Sequence, residues 1–364
     1  MSETSGAIRA QVDALLAEHA GELRTQVIET APEAAPLADS VSAMLSGGKR
    51  LRALFLYWSW RAHGGAAAGE PALRAGAALE LFHAAALFHD DVIDDSDTRR
   101  GLPAAHREFA AAHRRDQLTG DRERFGASVA ILLGDLALVA SDREAARSLA
   151  LVPAPAAGAA RSVFDAMRTQ VTVGQYLDLL AQARPWDGDA DRVEARALQV
   201  VRAKSARYSV EQPLVLGAAL AGASDEALAT CGAIGIPLGE AFQLRDDLLG
   251  VFGDPSVTGK PAGGDLREGK RTVLVACALR RAQEAGDEVT LELLRTRLGD
   301  PALSGEDAGR LAEAIAATGA PQDVERLIAE RAGEALALID AAGWPDPARE
   351  RLLELARQSV DRRS

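Results

Sequence analysis

An all-α fold is the expectation, and three observations set it. Apolar residues recur at every third or fourth position through nearly the whole chain. Ala and Leu dominate the apolar content and only 4% of residues are aromatic, which suits closely packed helices and supports no β architecture. The punctuation also falls at helix-length intervals, at Gly64-Gly65, Pro153-Ala154-Pro155, Arg184 to Gly188 and Gly253 to Gly269. With 364 residues and no internal repeat, the expectation is one large helical domain spanning 1–364.

Taken in order, the spacing predicts helices at about 6–28, 36–63, 71–96, 102–115, 123–148, 155–182, 188–221, 224–252, 271–284 and 286–298. Three amphipathic helices follow between about 305 and 360. Ser224-Asp225-Glu226 reads as a helix start, with the capping side chain first and acids in the first turn. Gly235, Pro237 and Gly239 are expected to kink the helix they sit on. The 253–269 loop is long for a helix connector and reads as a functional lid.

The bulk charge narrows the function. A net charge of −12 argues against nucleic acid as the main partner. Cys231 and Cys277 are too few for a disulfide framework, and no Cys/His spacing suggests zinc. The polar, mixed-charge stretch Met1 to Glu18 has no signal-peptide core, and no stretch is expected to approach the roughly 18 apolar residues of a membrane span. The expectation is a cytoplasmic protein without stable membrane insertion.

The chemistry concentrates in two acidic clusters. The first is His89-Asp90-Asp91-Val92-Ile93-Asp94-Asp95, followed by Arg99-Arg100-Gly101. Asp90, Asp91 and Asp94 can converge at the C-terminal end of a helix, where the macrodipole is itself negative. Three anions there call for cations, and Mg²⁺ fits because it takes one or two carboxylates and completes its shell with phosphate oxygens and water. A solvated acidic helix end is the plain alternative, but the apolar run Leu81 to Phe88 before it disfavours that reading. Arg99 and Arg100 can reach back over the metal site to grip a diphosphate, or merely cap the helix end.

Upstream, Ser46-Gly47-Gly48-Lys49-Arg50-Leu51-Arg52 combines close backbone approach with basic residues and reads as a second anion site with no acids beside it. Lys49 and Arg52, three apart, are expected on one side. His83 shares the Asp90 face two turns earlier, either as a core residue or as a ligand. The second cluster is Gln243-Leu244-Arg245-Asp246-Asp247, with Lys204, Lys260 and Lys270 as candidate phosphate partners. Gly250 stands where a further carboxylate is expected.

Together these stretches resemble the trans-isoprenyl diphosphate synthases (polyprenyl synthetases) over nearly the whole chain. The signatures run Gly47 to Arg52, His83 with Asp90 to Asp94 and Arg99 to Gly101, Gly134-Asp135, Gly174 to Asp178, Lys204-Ser205, Gln243 to Asp247, Thr258 to Lys260 and Glu268 to Thr272. The resemblance implies a helical bundle of the isoprenoid synthase type around a central apolar cavity, and a homodimer. It implies about three Mg²⁺ per active site, two on Asp90 and Asp94 and a third on Asp246, with Asp91 and Asp247 counted among the metal-binding acids. Arg99, Lys204 and Lys260 would grip the allylic diphosphate, with Gln243 beside Asp246 and Ser205 and Lys270 nearby. Lys49, Arg52, His83 and Arg100 would hold isopentenyl diphosphate without metal. The implied reaction is Mg-assisted ionisation of the allylic diphosphate, condensation and loss of a proton. The chain departs from the usual pattern at Gly250, Gly264, Ser205 and Ala53, and Asp265 or Asp254 could make good the acid missing at Gly250.

Product length depends on the floor beneath the first cluster. Ala85 and Ala86 lie one turn below Asp90, and Phe82 and Leu79 follow further down. Small residues then bulk predict geranylgeranyl diphosphate, with farnesyl or longer products as the alternative. A terpene cyclase would share the acids but needs no Lys49, Arg52 or Arg99-Arg100, and a non-catalytic synthase subunit has no need to keep the acids.

Overall fold

The structure, a computed structural model, describes residues 4–186, 188–253, 263–300 and 302–361. It is helical almost throughout. In order come α1 (Ser5–Thr30), a 3₁₀ turn, α2 (Ala35–Leu45), α3 (Leu51–Ala62) and α4 (Glu70–Ile93). A short hairpin, β1 (Thr98–Arg99) with β2 (Leu102–Pro103), leads to α5 (Ala105–Arg115), α6 (Arg122–Leu149), α7 (Ala154–Ala183) and α8 (Ala190–Val200). A π-helix (Val201–Glu211) runs into α9 (Gln212–Leu220) and α10 (Asp225–Phe252). Then follow α11 (Gly264–Arg267), α12 (Val273–Ala285), α13 (Glu288–Arg297), α14 (Gly305–Ala317), α15 (Ala320–Ala341) and α16 (Ala348–Val360).

Most expected helices stand where the periodicity puts them; two differ in kind. The stretch read as 36–63 is two helices, because Gly47, Gly48 and Arg50 all adopt positive φ (71°, 94° and 54°), which an α-helix cannot contain. The stretch read as 188–221 changes its winding at Val201, where the backbone hydrogen bonds span one residue more, in the π pattern, until Glu211. Apolar spacing does not register that change. Pro237 lies inside α10, which is assigned as one continuous helix.

Contacts group the chain into two compact units. The first is 1–161 with 213–225; the second is 162–212 with 226–364. In the first, α3 is buried all round from Ala53 to Trp60, and α4 packs on α1, α3 and α6. Gly76 on α4 lets Ala53 approach so closely that a Cβ there would lie 2.9 Å from the Ala53 Cβ. In the second, α12 packs on α8, α13 and α15, starting from Thr272, whose side chain caps Val275 N–H.

One expectation about apolar length needs correcting. Two helices, α6 (mean hydropathy 1.6) and α10 (1.2), are long and apolar enough to cross a membrane. Single acids such as Asp135 interrupt their runs without lowering the average much. About half of each apolar stretch is buried inside the protein, 44% and 56%, as a core helix requires.

Candidate active site

In the first unit α4 carries the site. His83, Ala86, Leu87 and Asp90 keep partial exposure and fall on one stripe of the helix, ending at Asp94, the C-cap residue. Asp91, between them, is 1% exposed and turned inward. Arg99 donates from Nε to Asp91 Oδ1 at 2.9 Å. Asp91 therefore stands apart from its neighbours: its carboxylate orients Arg99, while Asp90 and Asp94 keep partial exposure and Asp95 is exposed, paired with Arg107.

Arg100 (φ 53°) and Gly101 (φ 77°) form a left-handed pair, the turn that a two-residue hairpin prefers. That turn sends the Arg100 side chain to the end of α2, where Nη1 donates to the carbonyls of Ser46 (2.8 Å) and Met44 (3.2 Å). Arg50 and Arg100 flank Gly48: a Cβ placed there would lie 3.5 Å from Arg50 Nη1 and 3.7 Å from Arg100 Nη2. Lys49 is exposed in the turn before α3, so the helical spacing to Arg52 does not apply; Arg52 lies in the first turn of α3. Burial lowers the His83 pKa well below the ordinary value, and Arg52, Arg100, Arg99 and Arg50 depress it further. His83 is thus a neutral imidazole in a basin of guanidinium groups. Such a basin suits an anion that brings no metal.

The chain-length residues divide. Ala86 shares the open stripe, whereas Ala85 is 0% exposed on the core side. Phe82, one turn below Ala86, is buried.

In the second unit the π-helix positions the cations. Gly174 of α7 abuts it so closely that a Cβ would lie 2.4 Å from Lys204 N; on α10, Gly239 and Gly235 stand equally close to Ala206 and Glu211. Three absent side chains make room for the wider helix. The Lys204 ammonium donates to Asp178 Oδ2 at 2.7 Å, and Ser205 follows, partly buried. Asp178 belongs to a stretch noted in the sequence, but only the fold reveals it as the residue that orients Lys204.

On α10, Asp246 is partly exposed while Asp247 is buried. Gln243, expected beside Asp246, instead donates to Asp247 Oδ1 at 2.8 Å. Asp247 Oδ2 is buried without a hydrogen-bond partner. Burial, with Asp265 next, pushes this carboxyl up to about 8. Asp265 lies over Gly250, where a Cβ would be 2.0 Å from its Oδ2. An acid from α11 thus occupies the space where the sequence lacks one on α10. Lys270 pairs with Glu268 and lies 3.8 Å from Asp265. Arg245 turns away to Glu325 and the Val360 carbonyl. Lys260 and Asp254 lie outside the described residues.

Among the described residues no three acid, His or Cys side chains converge tightly enough to hold an ion unaided. Hard oxygen donors in ones and twos, with a buried carboxylate oxygen lacking a donor, nevertheless fit Mg²⁺, which draws the rest of its shell from phosphate and water.

The sequence profile of the polyprenyl synthetases matches residues 35–303. The chain belongs to that family. It is 34% identical over 311 residues to a geranylfarnesyl diphosphate synthase of Aeropyrum pernix, covering 83% of this chain and 87% of the relative. It is also 34% identical over 311 residues to a geranylgeranyl diphosphate synthase of Mycobacterium tuberculosis, covering 85% and 80%. Among solved structures, a Corynebacterium glutamicum geranylgeranyl pyrophosphate synthase, complexed with isoprenyl diphosphate and magnesium, superposes with a TM-score of 0.90. That match has 38% identity and covers 99% of this chain and 98% of the other.

Proposed function

We propose that the protein is a trans-prenyltransferase that condenses isopentenyl diphosphate with an allylic diphosphate and releases chiefly geranylgeranyl diphosphate. One observation carries this reading: α4 presents two anion-binding environments. Asp90 and Asp94 suit a metal-held diphosphate, and His83, about 10 Å back along the axis, sits in an arginine basin suited to a metal-free one. An enzyme that ionises a single diphosphate has no use for the second.

About three Mg²⁺ ions would be held by Asp90, Asp94 and Asp246 and would stabilise charge on the departing diphosphate. Arg99, oriented by Asp91, and Lys204, oriented by Asp178, add cationic donors to that leaving group. As the allylic carbon–oxygen bond breaks, the double bond of isopentenyl diphosphate attacks the cation, and the released diphosphate takes the proton that is lost. Ala86 leaves space below Asp90, and Phe82 sets the floor. On this reading both units serve one synthase domain.

A homodimer is the proposed assembly. Phe125, Ile131, Leu132 and Val139 leave an exposed apolar stripe on α6, whose other sides pack on α4 and α5. A second copy would cover it.

The test is incubation with isopentenyl diphosphate, Mg²⁺ and dimethylallyl, geranyl or farnesyl diphosphate, with products identified by mass. A twenty-carbon diphosphate that vanishes with chelator is the expected result. Cyclised products from one substrate alone would overturn the reading.

A further inference from the structure

The Gly47–Arg52 turn is held by a residue to which the sequence assigned no task. Arg50 adopts left-handed dihedrals (φ 54°, ψ 35°) and has no side-chain cap to stabilise them. For a residue with a Cβ this conformation is strained and persists only where the surroundings enforce it. Here they do. The Arg50 side chain is 4% exposed, and its three guanidinium nitrogens bind three different elements. Nε donates to Asp13 Oδ1 of α1 at 2.7 Å, and Nη1 to Glu80 Oε2 of α4 at 3.3 Å. Nη2 donates to the Leu45 carbonyl at the end of α2.

Arg50 is thus the wall behind Gly48, next to Lys49 and two residues before Arg52. Its placement decides where the turn's backbone and the two flanking cations point. Glu80 is itself buried, so deleting Arg50 would strand a carboxylate in the core and test folding rather than function. Asp13 offers a gentler handle. Its side chain is 41% exposed, and it lies on α1, ahead of the stretch that the family profile covers.

We propose that Asp13 is a positioning residue for the metal-free diphosphate: through Arg50 it fixes the turn that presents Lys49 and Arg52. The inference rests on the reading that this basin holds isopentenyl diphosphate. Asp13 touches no substrate; it holds the guanidinium that shapes the cradle. Loss of one charge-assisted bond sets the scale of the effect.

The experiment compares wild type, Asp13→Ala, Asp13→Asn and Asp13→Glu in steady-state kinetics. In Asp13→Ala the KM for isopentenyl diphosphate is expected to rise about tenfold, with kcat and the allylic KM within about twofold. Asn, which keeps an acceptor for Arg50 Nε, and Glu are expected to restore most of the affinity. An unchanged KM overturns the proposal. So does a KM that falls in both Ala and Asn, because the carboxylate would then act only by weakening the positive field. Equal losses for both substrates with a lowered Tm would make Asp13 merely structural. Calorimetric titration with inorganic diphosphate in excess chelator separates this idea from the function it rests on. If condensation is absent from wild type yet Asp13→Ala still weakens that binding about tenfold, the function falls and the positioning role stands.

Discussion

The two units bind charge in opposite ways. In the first, arginines crowd together and find their partners in backbone carbonyls and inward-facing acids, so Arg100 rests on Ser46 and Met44 and Arg99 on Asp91. In the second, lysines meet carboxylates, Lys204 on Asp178 and Lys270 on Glu268 and Asp265, near a buried Asp247 whose carboxyl is pushed up to about 8. The first unit sets an arginine basin around His83 on the same helix that carries the acids Asp90 and Asp94. The second is overloaded with acid and requires cations to be comfortable. On the proposed function, one chain treats two diphosphates differently, one through the arginine basin and the other through metal at Asp90, Asp94 and Asp246.

The sharpest break of that contrast is at Asp90. Asp90→Ala is expected to lower turnover by at least about a thousandfold while circular dichroism and Tm stay near wild type. Near-normal rates would remove metal ligation from the first unit. Next is Gly174→Ala, whose Cβ would meet Lys204 N at 2.4 Å. The clash should cost about 1–3 kcal/mol in denaturant melts and, by displacing the Lys204–Asp178 pair, about tenfold in turnover. Stability loss with an intact rate would mean that Lys204 has no part in the reaction.

Asp247 gives a pH signature. Its folded pKa, about 8, is above the unfolded value, so the folded state holds the extra proton. The stability this contributes is complete below about pH 4 and drains away as pH rises through 8. Metal-free wild type should therefore melt lower at pH 8 than at pH 6, and Asp247→Asn should flatten the trend; parallel melting curves would refute the shifted carboxyl. The smallest effects concern the floor. Ala86→Phe, on the open stripe, is expected to shorten the product toward farnesyl with little change in Tm. Ala85→Phe should destabilise by about 1–3 kcal/mol, as overpacking does, and leave the product unchanged. Identical product shifts in both would erase the distinction between the two faces.

Much of this was legible in the residues, and what was not has definable causes. The order of helices followed from apolar spacing, and the acids of both clusters from their repeat. Spacing alone ranked Asp91 with Asp90 and Asp247 with Asp246, although adjacent helical residues point about 100° apart and only packing decides which faces inward. The partners that orient the cations, Asp13, Asp178 and Asp91, are distant in sequence or hidden within a run of acids. Asp265 or Asp254 was the expected stand-in at Gly250, because a missing carboxylate beside a metal site invites replacement; Asp265 lies over that glycine, and Asp254 is outside the described residues. The π-helix left no mark on the hydrophobic pattern, and its only trace was glycine on two other helices.

That trace has a practical side. Because the broad winding of Val201–Glu211 is accommodated by gaps at Gly174, Gly235 and Gly239, it is not portable on its own. Anyone swapping this stretch between enzymes to retune leaving-group chemistry must transplant the hollows along with the thread, or the new loop of backbone will have nowhere to lie.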